Sequence, residues 1–202
     1  MSVQDFDTNQ ITAAILAGGE GSRVDGRDKG LIVLCGRPLV AHVAAALAGQ
    51  AGTIVVCANR HAQDYAPFGK VLADGLPGFR GPLAGIAAAL AQCATPWLLT
   101  VPVDAPRAPP QLARILFAAA SAAKADAAVA YEGARSQPMF ALYRSRLAES
   151  ASTALALDLP VWRWQQQIRV AEAFFDLGDD GFTNLNSNQE IAAWEHAHAD
   201  QS

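Results

Sequence analysis

The chain has 202 residues, 51% of them hydrophobic and 17% charged, with a formal net charge of −4. This mix predicts one packed domain with a sizeable core and excludes a disordered chain. The acidic balance excludes a broad electrostatic hold on nucleic acid or anionic lipid. Three cysteines, Cys35, Cys57 and Cys93, lie far apart. They suggest neither a disulfide framework nor a metal knuckle and fit a reducing compartment.

Residues 1–10 read as a flexible, polar and acidic N-terminus without the basic and apolar segments of a secretory signal. No apolar run reaches the length of about 18 residues that a membrane span needs. Ile11–Ala17 is an apolar run that predicts a buried strand. It leads into Gly18-Gly19-Glu20-Gly21-Ser22-Arg23, followed by Asp28-Lys29. A strand that runs into a glycine-rich loop carrying fixed cations has the layout of a phosphate site. The glycines allow a close backbone approach, and successive N–H groups form an anion-binding concavity. Arg23 adds a bidentate fork and Lys29 a mobile point charge.

Two common phosphate loops do not fit. A G-x-G-x-x-G pattern from Gly19 meets Val24 where its last glycine belongs. A Walker pattern from Gly21 reaches Gly26 but finds Arg27 in place of lysine. An ordinary glycine-rich strand-to-helix turn is the competing reading.

Further along, Pro38 opens a helix over Leu39–Leu47, with Gly49 able to end it. Thr53–Cys57 and Lys70–Ala73 predict strands, Leu83–Cys93 a helix and Trp97–Val103 a strand. Pro110–Ala123 predicts a helix, Asp126–Ala130 and Met139–Tyr143 strands, Val161–Gln167 a helix behind Pro160, and Arg169–Phe175 a strand. Ser187 and Glu190 form a capping box for a last helix through about His196. Strands alternating with helices indicate an α/β fold with a mostly parallel sheet. Ligands in such sheets sit beyond the carboxyl ends of strands, where the Gly18 loop, Asn59 and Asp104 fall.

Asp104 is bracketed by Pro102 and Pro106, which restrict its backbone. It suits either a Mg²⁺ ligand or a turn-forming carboxylate. Asp74 has the same two readings, as a ligand group or as an Asx turn. Gly81-Pro82-Leu83-Ala84-Gly85 lets a planar base lie against a helix N-terminus, or is a tight turn. Gln137, Asn184 and Asn186 are polar groups beside predicted elements. His42 and His61 lack metal spacing. Trp162, Arg163 and Trp164 offer a stacking platform, or one core tryptophan with another at the surface.

Together these residues resemble the molybdenum cofactor guanylyltransferase family. The resemblance rests on Leu16-Ala17-Gly18-Gly19, Arg23, Gly26, Asp28-Lys29-Gly30-Leu31, Gly36-Arg37-Pro38-Leu39 and Ala58-Asn59-Arg60-His61. It continues in Asp74, Gly81–Gly85, Pro102-x-Asp104-x-Pro106, Gln137-Pro138 and Asn184-Leu185-Asn186, and covers about residues 11–197. It implies a Rossmann-like three-layer α/β/α nucleotidyltransferase domain over 11–197. Residues 11–106 would bind GTP and residues 107–197 molybdopterin.

The implied activity is transfer of GMP from GTP to molybdenum-molybdopterin, with release of pyrophosphate, by a cytoplasmic monomer. Transient contacts with other cofactor-biosynthesis proteins or molybdoenzymes would accompany it, but no nucleic acid and no membrane. The resemblance places Arg23, Lys29 and Asp104 in catalysis, with Asp104 on Mg²⁺. It places Leu16, Ala17, Gly18, Gly19, Lys29, Cys57, Asp74 and Asp104 at the nucleotide. Gln137, Asn184 and Asn186 would face molybdopterin. The chain departs from the family pattern at Val24-Asp25, at Cys57 and at Ser187-Asn188. A cytidylyl- or sugar-nucleotidyltransferase, or a non-catalytic nucleotide-binding protein, remains the alternative.

Overall fold

The structure, a computed structural model, describes residues 6–18, 28–74, 81–178 and 181–197. A seven-stranded sheet runs through it in the order β5-β4-β1-β6-β8-β7-β9. These strands are β1 (Ile11–Leu16), β4 (Thr53–Cys57), β5 (Lys70–Leu72), β6 (Trp97–Pro102), β7 (Ala127–Glu132), β8 (Arg135–Arg144) and β9 (Val170–Phe175). β8 runs antiparallel to both its neighbours, and the remaining pairs are parallel. β1 is buried along its whole length, as a continuous apolar run at the centre of a covered parallel sheet must be.

Helices cover both faces, which gives three layers. On one face α1 (Leu39–Leu47) and α4 (Leu112–Ala122) pack Val43, Leu47, Leu116 and Phe117 against Ile15, Leu99 and Val101. On the other, α3 (Pro82–Ala91), α5 (Ala148–Ala156) and α6 (Val161–Gln165) enclose Ala14, Val55, Leu98 and Tyr143. Trp164 is fully buried there and donates its indole N–H to Ser150 Oγ at 3.0 Å, whereas Trp162 is half exposed beside Arg163. The core-and-surface reading of that aromatic pair therefore holds. A short hairpin, β2 (Val33–Leu34) with β3 (Arg37–Pro38), packs with α7 (Asn188–Ala197) through Leu34, Leu39, Leu185 and Ile191.

The chain differs from the sequence expectations in several places, among them the unpredicted β2–β3 hairpin and the start of α4 at Leu112 instead of Pro110. Pro38 caps α1 from outside, in extended conformation, and pairs with Val33 instead of starting the helix. The helix α5 and the four-residue α2 (Ala62–Tyr65) have no counterpart among the predicted elements. The strand expected at Met139–Tyr143 begins at Arg135 and passes through Pro138. Val129 pairs with Ala141, but Ala130 pairs with Gln137, so the ladder is interrupted where Pro138 has no N–H to give. Finally, the packed body begins before residue 11. Asp7 caps a turn over Thr8–Gln10, and the Phe6 ring meets Phe117 edge-on at 5.6 Å. Apolar contact and a side-chain cap hold residues 6–10, while residues 1–5 lie outside the described residues. No helix among the described residues is long and apolar enough to cross a membrane.

Candidate active site

From β1 the chain crosses to β4 and β5 on one side, then returns to β6 on the other side of β1. That reversal leaves a crevice beyond the carboxyl ends of β1 and β6, the usual ligand position in open α/β sheets. A cleft of about 330 Å³ opens there. Leu16, Ala17, Gly18, Lys29, Cys57, Asn59, Asp74, Asp104 and Asn184 all line it. Of the expected nucleotide and catalytic residues, Gly19 and Arg23 lie outside the described residues, as does Asp25. Every other one lines this cleft.

Lys29 is aimed by its neighbours. Asp28 accepts a hydrogen bond from the Gly30 N–H at 3.3 Å and another from the Tyr65 hydroxyl. Burial, with the Asp28 carboxylate beside it, pushes the Tyr65 hydroxyl far above the usual phenol range, so it stays a donor. Gly30 makes room for that contact, because a Cβ there would stand 2.3 Å from the Tyr65 oxygen. With Asp28 pinned, the Lys29 ammonium donates to Asp104 Oδ2 at 2.5 Å and to Asn186 Oδ1 at 2.8 Å. The Lys29 and Asp104 side chains are each only 19% exposed, so the pair is shielded from bulk water.

Asp104 is fixed from two sides. The Val103 N–H donates to the Leu16 carbonyl at 3.1 Å and ties the β6 end to β1. The Leu185 N–H donates to the Asp104 carbonyl at 2.8 Å. Asn186 is held by the capping box of α7. The N–H groups of Asn186 and Ser187 both donate to Glu190 Oε2, and the Glu190 N–H donates to Ser187 Oγ at 3.2 Å. The Ser187-Asn188 departure is thus absorbed by an intact cap.

On the far wall, Asn59 and Asp74 bond reciprocally. Asn59 Nδ2 donates to Asp74 Oδ2 at 2.9 Å, and the Asp74 N–H donates to Asn59 Oδ1 at 3.0 Å. Asp74 is therefore held across two strand ends and is more than a local Asx turn. Cys57 is buried and its thiol donates to the Gly85 carbonyl at 3.4 Å. Burial, with the charge of Asp74 nearby, pushes that thiol up to about 12, so it is a neutral wall and no nucleophile. Gly81 takes φ +73°, a conformation that only glycine adopts without strain, and sets Pro82 at the first turn of α3.

A second cleft of about 360 Å³ lies beside the β7–β8 hairpin tip and includes Glu132, Arg135, Thr183, Asn184 and Asn186. Asn184 lines both clefts. Gln137 lines neither; the register shift in β8 leaves it buried opposite Ala130, while Met139, on the same face as Ala141, lines the first cleft. His42 bonds the Leu34 carbonyl at 2.8 Å and has a structural role. Tyr65 and Met139 had no signal in the sequence. One acts through a contact 37 residues away, and the other through the packing of its strand beside the cleft.

As a chemical device, the first cleft offers the Lys29 ammonium beside the Asp104 carboxylate, a second carboxylate, Asp74, on the far wall, and amide groups around a glycine-lined strand end. Among the described residues no group of three or more His, Cys, Asp or Glu side chains converges to cage a metal. A single carboxylate fits a hard divalent cation that takes its remaining ligands from water and substrate phosphates.

The family described as the MobA-like NTP transferase domain matches residues 13–171. A molybdenum cofactor guanylyltransferase of Acidovorax ebreus (strain TPSY) is 43% identical, over 94% of this chain and 97% of its own length. One from Vibrio cholerae serotype O1 is 37% identical, over 98% and 96%. Among solved structures, molybdopterin-guanine dinucleotide biosynthesis protein A from Archaeoglobus fulgidus superposes with a TM-score of 0.77 at 22% identity, over 93% of this chain and 98% of that one. The 2-C-methyl-D-erythritol 4-phosphate cytidylyltransferase from Thermus thermophilus does so with 0.65 at 19%, over 94% and 98%. The structural likenesses show a shared fold.

Proposed function

The chain belongs to the MobA-like NTP transferase family, and from that premise we propose that it transfers GMP from GTP to molybdenum-molybdopterin. The observation that carries this reading is the meeting of Lys29, Asp104 and Asn186 at the crevice beyond β1 and β6. A phosphate oxygen of the acceptor attacks the α-phosphorus of GTP. A new P–O bond forms, the bond to the β-phosphate oxygen breaks, and pyrophosphate leaves. Such transfer needs positioning and charge neutralisation more than covalent help from the protein.

Gly18 and the N–H groups around it receive the phosphates, while Asp74, held by Asn59, and the Gly81–Gly85 turn face the base and ribose. Lys29 neutralises charge on the leaving pyrophosphate. Asp104 holds Mg²⁺, which when bound supplies Lewis-acid neutralisation of the phosphate oxygens. Lys29 donates to Asp104 Oδ2, so a cation on this carboxylate would stand beside the ammonium, and Asn186 gives Lys29 a second hold. Asn184, shared by the two clefts, stands between donor and acceptor. Arg23 and Gly19 complete the phosphate loop in this reading, and the reaction is cytoplasmic.

The test is pyrophosphate release from GTP, with and without molybdenum-molybdopterin, alongside thermal shifts with GTP, CTP, ATP and UTP plus Mg²⁺. Acceptor-dependent release with GTP and a GTP-specific shift are expected, since a bound ligand stabilises by mass action. Preference for CTP, or release that ignores the acceptor, would overturn the assignment.

A further inference from the structure

We infer that Glu132 and Arg135, at the tip of the β7–β8 hairpin, read the amino-oxopyrimidine edge of the acceptor's pterin ring. This rests on the guanylyl-transfer reading above and names the residues that select the acceptor. Glu132 ends β7, Arg135 begins β8, and the two are direct cross-strand partners. Both line the second cleft, and neither has an ion-pair partner among the described residues. An anionic and a cationic side chain in one cleft, neither paired among the described residues, form a two-sign site, in contrast to the ion pairs at Asp104 and Asp126.

Gly181 shows that the space around Glu132 is kept for its carboxylate. A Cβ at residue 181 would stand 1.6 Å from Glu132 Oε1, so any larger residue displaces the carboxylate. Phe182, buried against Phe140 and Phe175 at centroid distances of 4.5 and 5.3 Å, gives the cleft an apolar wall. Asn184 Oδ1 is buried with no hydrogen-bond partner among the described residues, and Asn184 lines both clefts. A buried acceptor without a donor has lost water and gained nothing in return. A ligand N–H or hydroxyl that passes between the clefts would satisfy it.

The chemistry selects the ligand. An amino-oxopyrimidine edge presents a ring N–H and an exocyclic amine side by side, with a carbonyl next to them. A carboxylate accepts from the two donors in bidentate fashion, and a guanidinium donates to the carbonyl. Glu132 and Arg135 supply that pair. Guanine carries the same edge as pterin, so GTP is the other source of this chemistry. The first cleft, with Gly18, Lys29 and Asp104, takes the triphosphate, which leaves the second cleft for the acceptor.

The test uses the full chain with Glu132→Gln, Arg135→Ala and Gly181→Ala. Gly181→Ala keeps both charged groups and displaces only the carboxylate. For each, the KM for molybdenum-molybdopterin, the Kd for Mg²⁺-GTP and the Kd for pterin, followed by its fluorescence, are measured. We expect acceptor KM and pterin Kd to rise about tenfold or more in all three, with Kd for GTP within twofold of the parent. Circular dichroism and melting confirm folding. A GTP Kd that rises in place of the pterin Kd would show that guanine is the ligand and overturn the inference. Unchanged pterin binding and acceptor KM would overturn it too. If the parent transfers no GMP, the guanylyl-transfer reading falls, while the pterin Kd of the parent against Glu132→Gln still decides this one.

Discussion

The two ends of the sheet hold the same kinds of charged side chain and use them differently. At the carboxyl ends of β1 and β6, Lys29 divides its bonds between Asp104 and Asn186 inside a cleft. At the opposite end, Asp126 receives Arg146 and Arg169, the latter at 3.1 Å, while the Arg144 guanidinium lies 3.9 Å from the Trp97 ring centroid. There the charges saturate one another. Arg146, then Arg169, holds the Asp126 carboxyl below the usual carboxylate range. The backbone closes the same junction, since the Asp126 N–H donates to Arg169 and its carbonyl accepts from Arg144. The lesson is that charge alone does not mark a site. What marks it is an ion pair beside open volume at strand ends that diverge around a reversal of strand order.

The largest expected effects break the working end. Lys29→Ala should lower kcat/KM about 10²–10³-fold, the scale for losing one preorganised charge-stabilising group, with the melting temperature close to the parent's. Asp104→Asn should do the same and also flatten the dependence of rate on Mg²⁺ concentration. Retention of the parent's metal dependence would remove Asp104 from the metal site.

A smaller effect probes how Lys29 is aimed. Tyr65→Phe deletes one of two donors to Asp28 Oδ1 and leaves it only the long Gly30 N–H bond, at a cost of about 1.5–3 kcal/mol in denaturant unfolding. It should also lower turnover by loosening Lys29; a stability loss with unchanged turnover would show that Asp28 does not steer it. Asp126→Asn sharpens the contrast at the other end. It should cost about 1 kcal/mol of stability and leave GTP turnover unchanged. A loss of turnover would mean that the two ends are coupled.

The smallest effect concerns Cys57. Its ordinary value is 9.0 and the folded thiol keeps its proton to about 12, so unfolding releases a proton in that window. Stability therefore falls as pH rises from about 9 to about 12. Urea unfolding across that range should show a shallower fall in Cys57→Ser than in the parent, and equal slopes would contradict the burial argument.

Much of the frame was legible because it rests on local patterns. The apolar runs at Ile11, Thr53 and Trp97 are central strands, and the Ser187–Glu190 spacing is a working cap. The helix α5 was not legible, since its run Ala-Glu-Ser-Ala-Ser-Thr-Ala-Leu-Ala carries too little apolar periodicity to stand out. Its helical state comes from packing Ala151 and Ala154 against the layer that holds Leu83 and Ile86. Within the site, Leu16, Lys29, Asp74 and Asp104 stood out as glycine-flanked or strand-end residues. Gln137, expected on the molybdopterin side, lies buried opposite Ala130 and lines neither cleft, because a register shift turns it to the other face and no local pattern reports a pairing partner.

By itself the sequence determined the alternation of strands and helices, the glycine loop and its lysine, and the aspartate at a strand end. These depend on period, propensity and backbone restriction within a few residues. Only the tertiary structure decided that Asn186 meets Lys29 across 157 residues, that Tyr65 anchors Asp28, and that Glu132 and Arg135 share a cleft joined to the first through Asn184. The physical reason is that those contacts depend on strand order and register. These are settled by the burial of both faces of the sheet at once, a property of the whole chain.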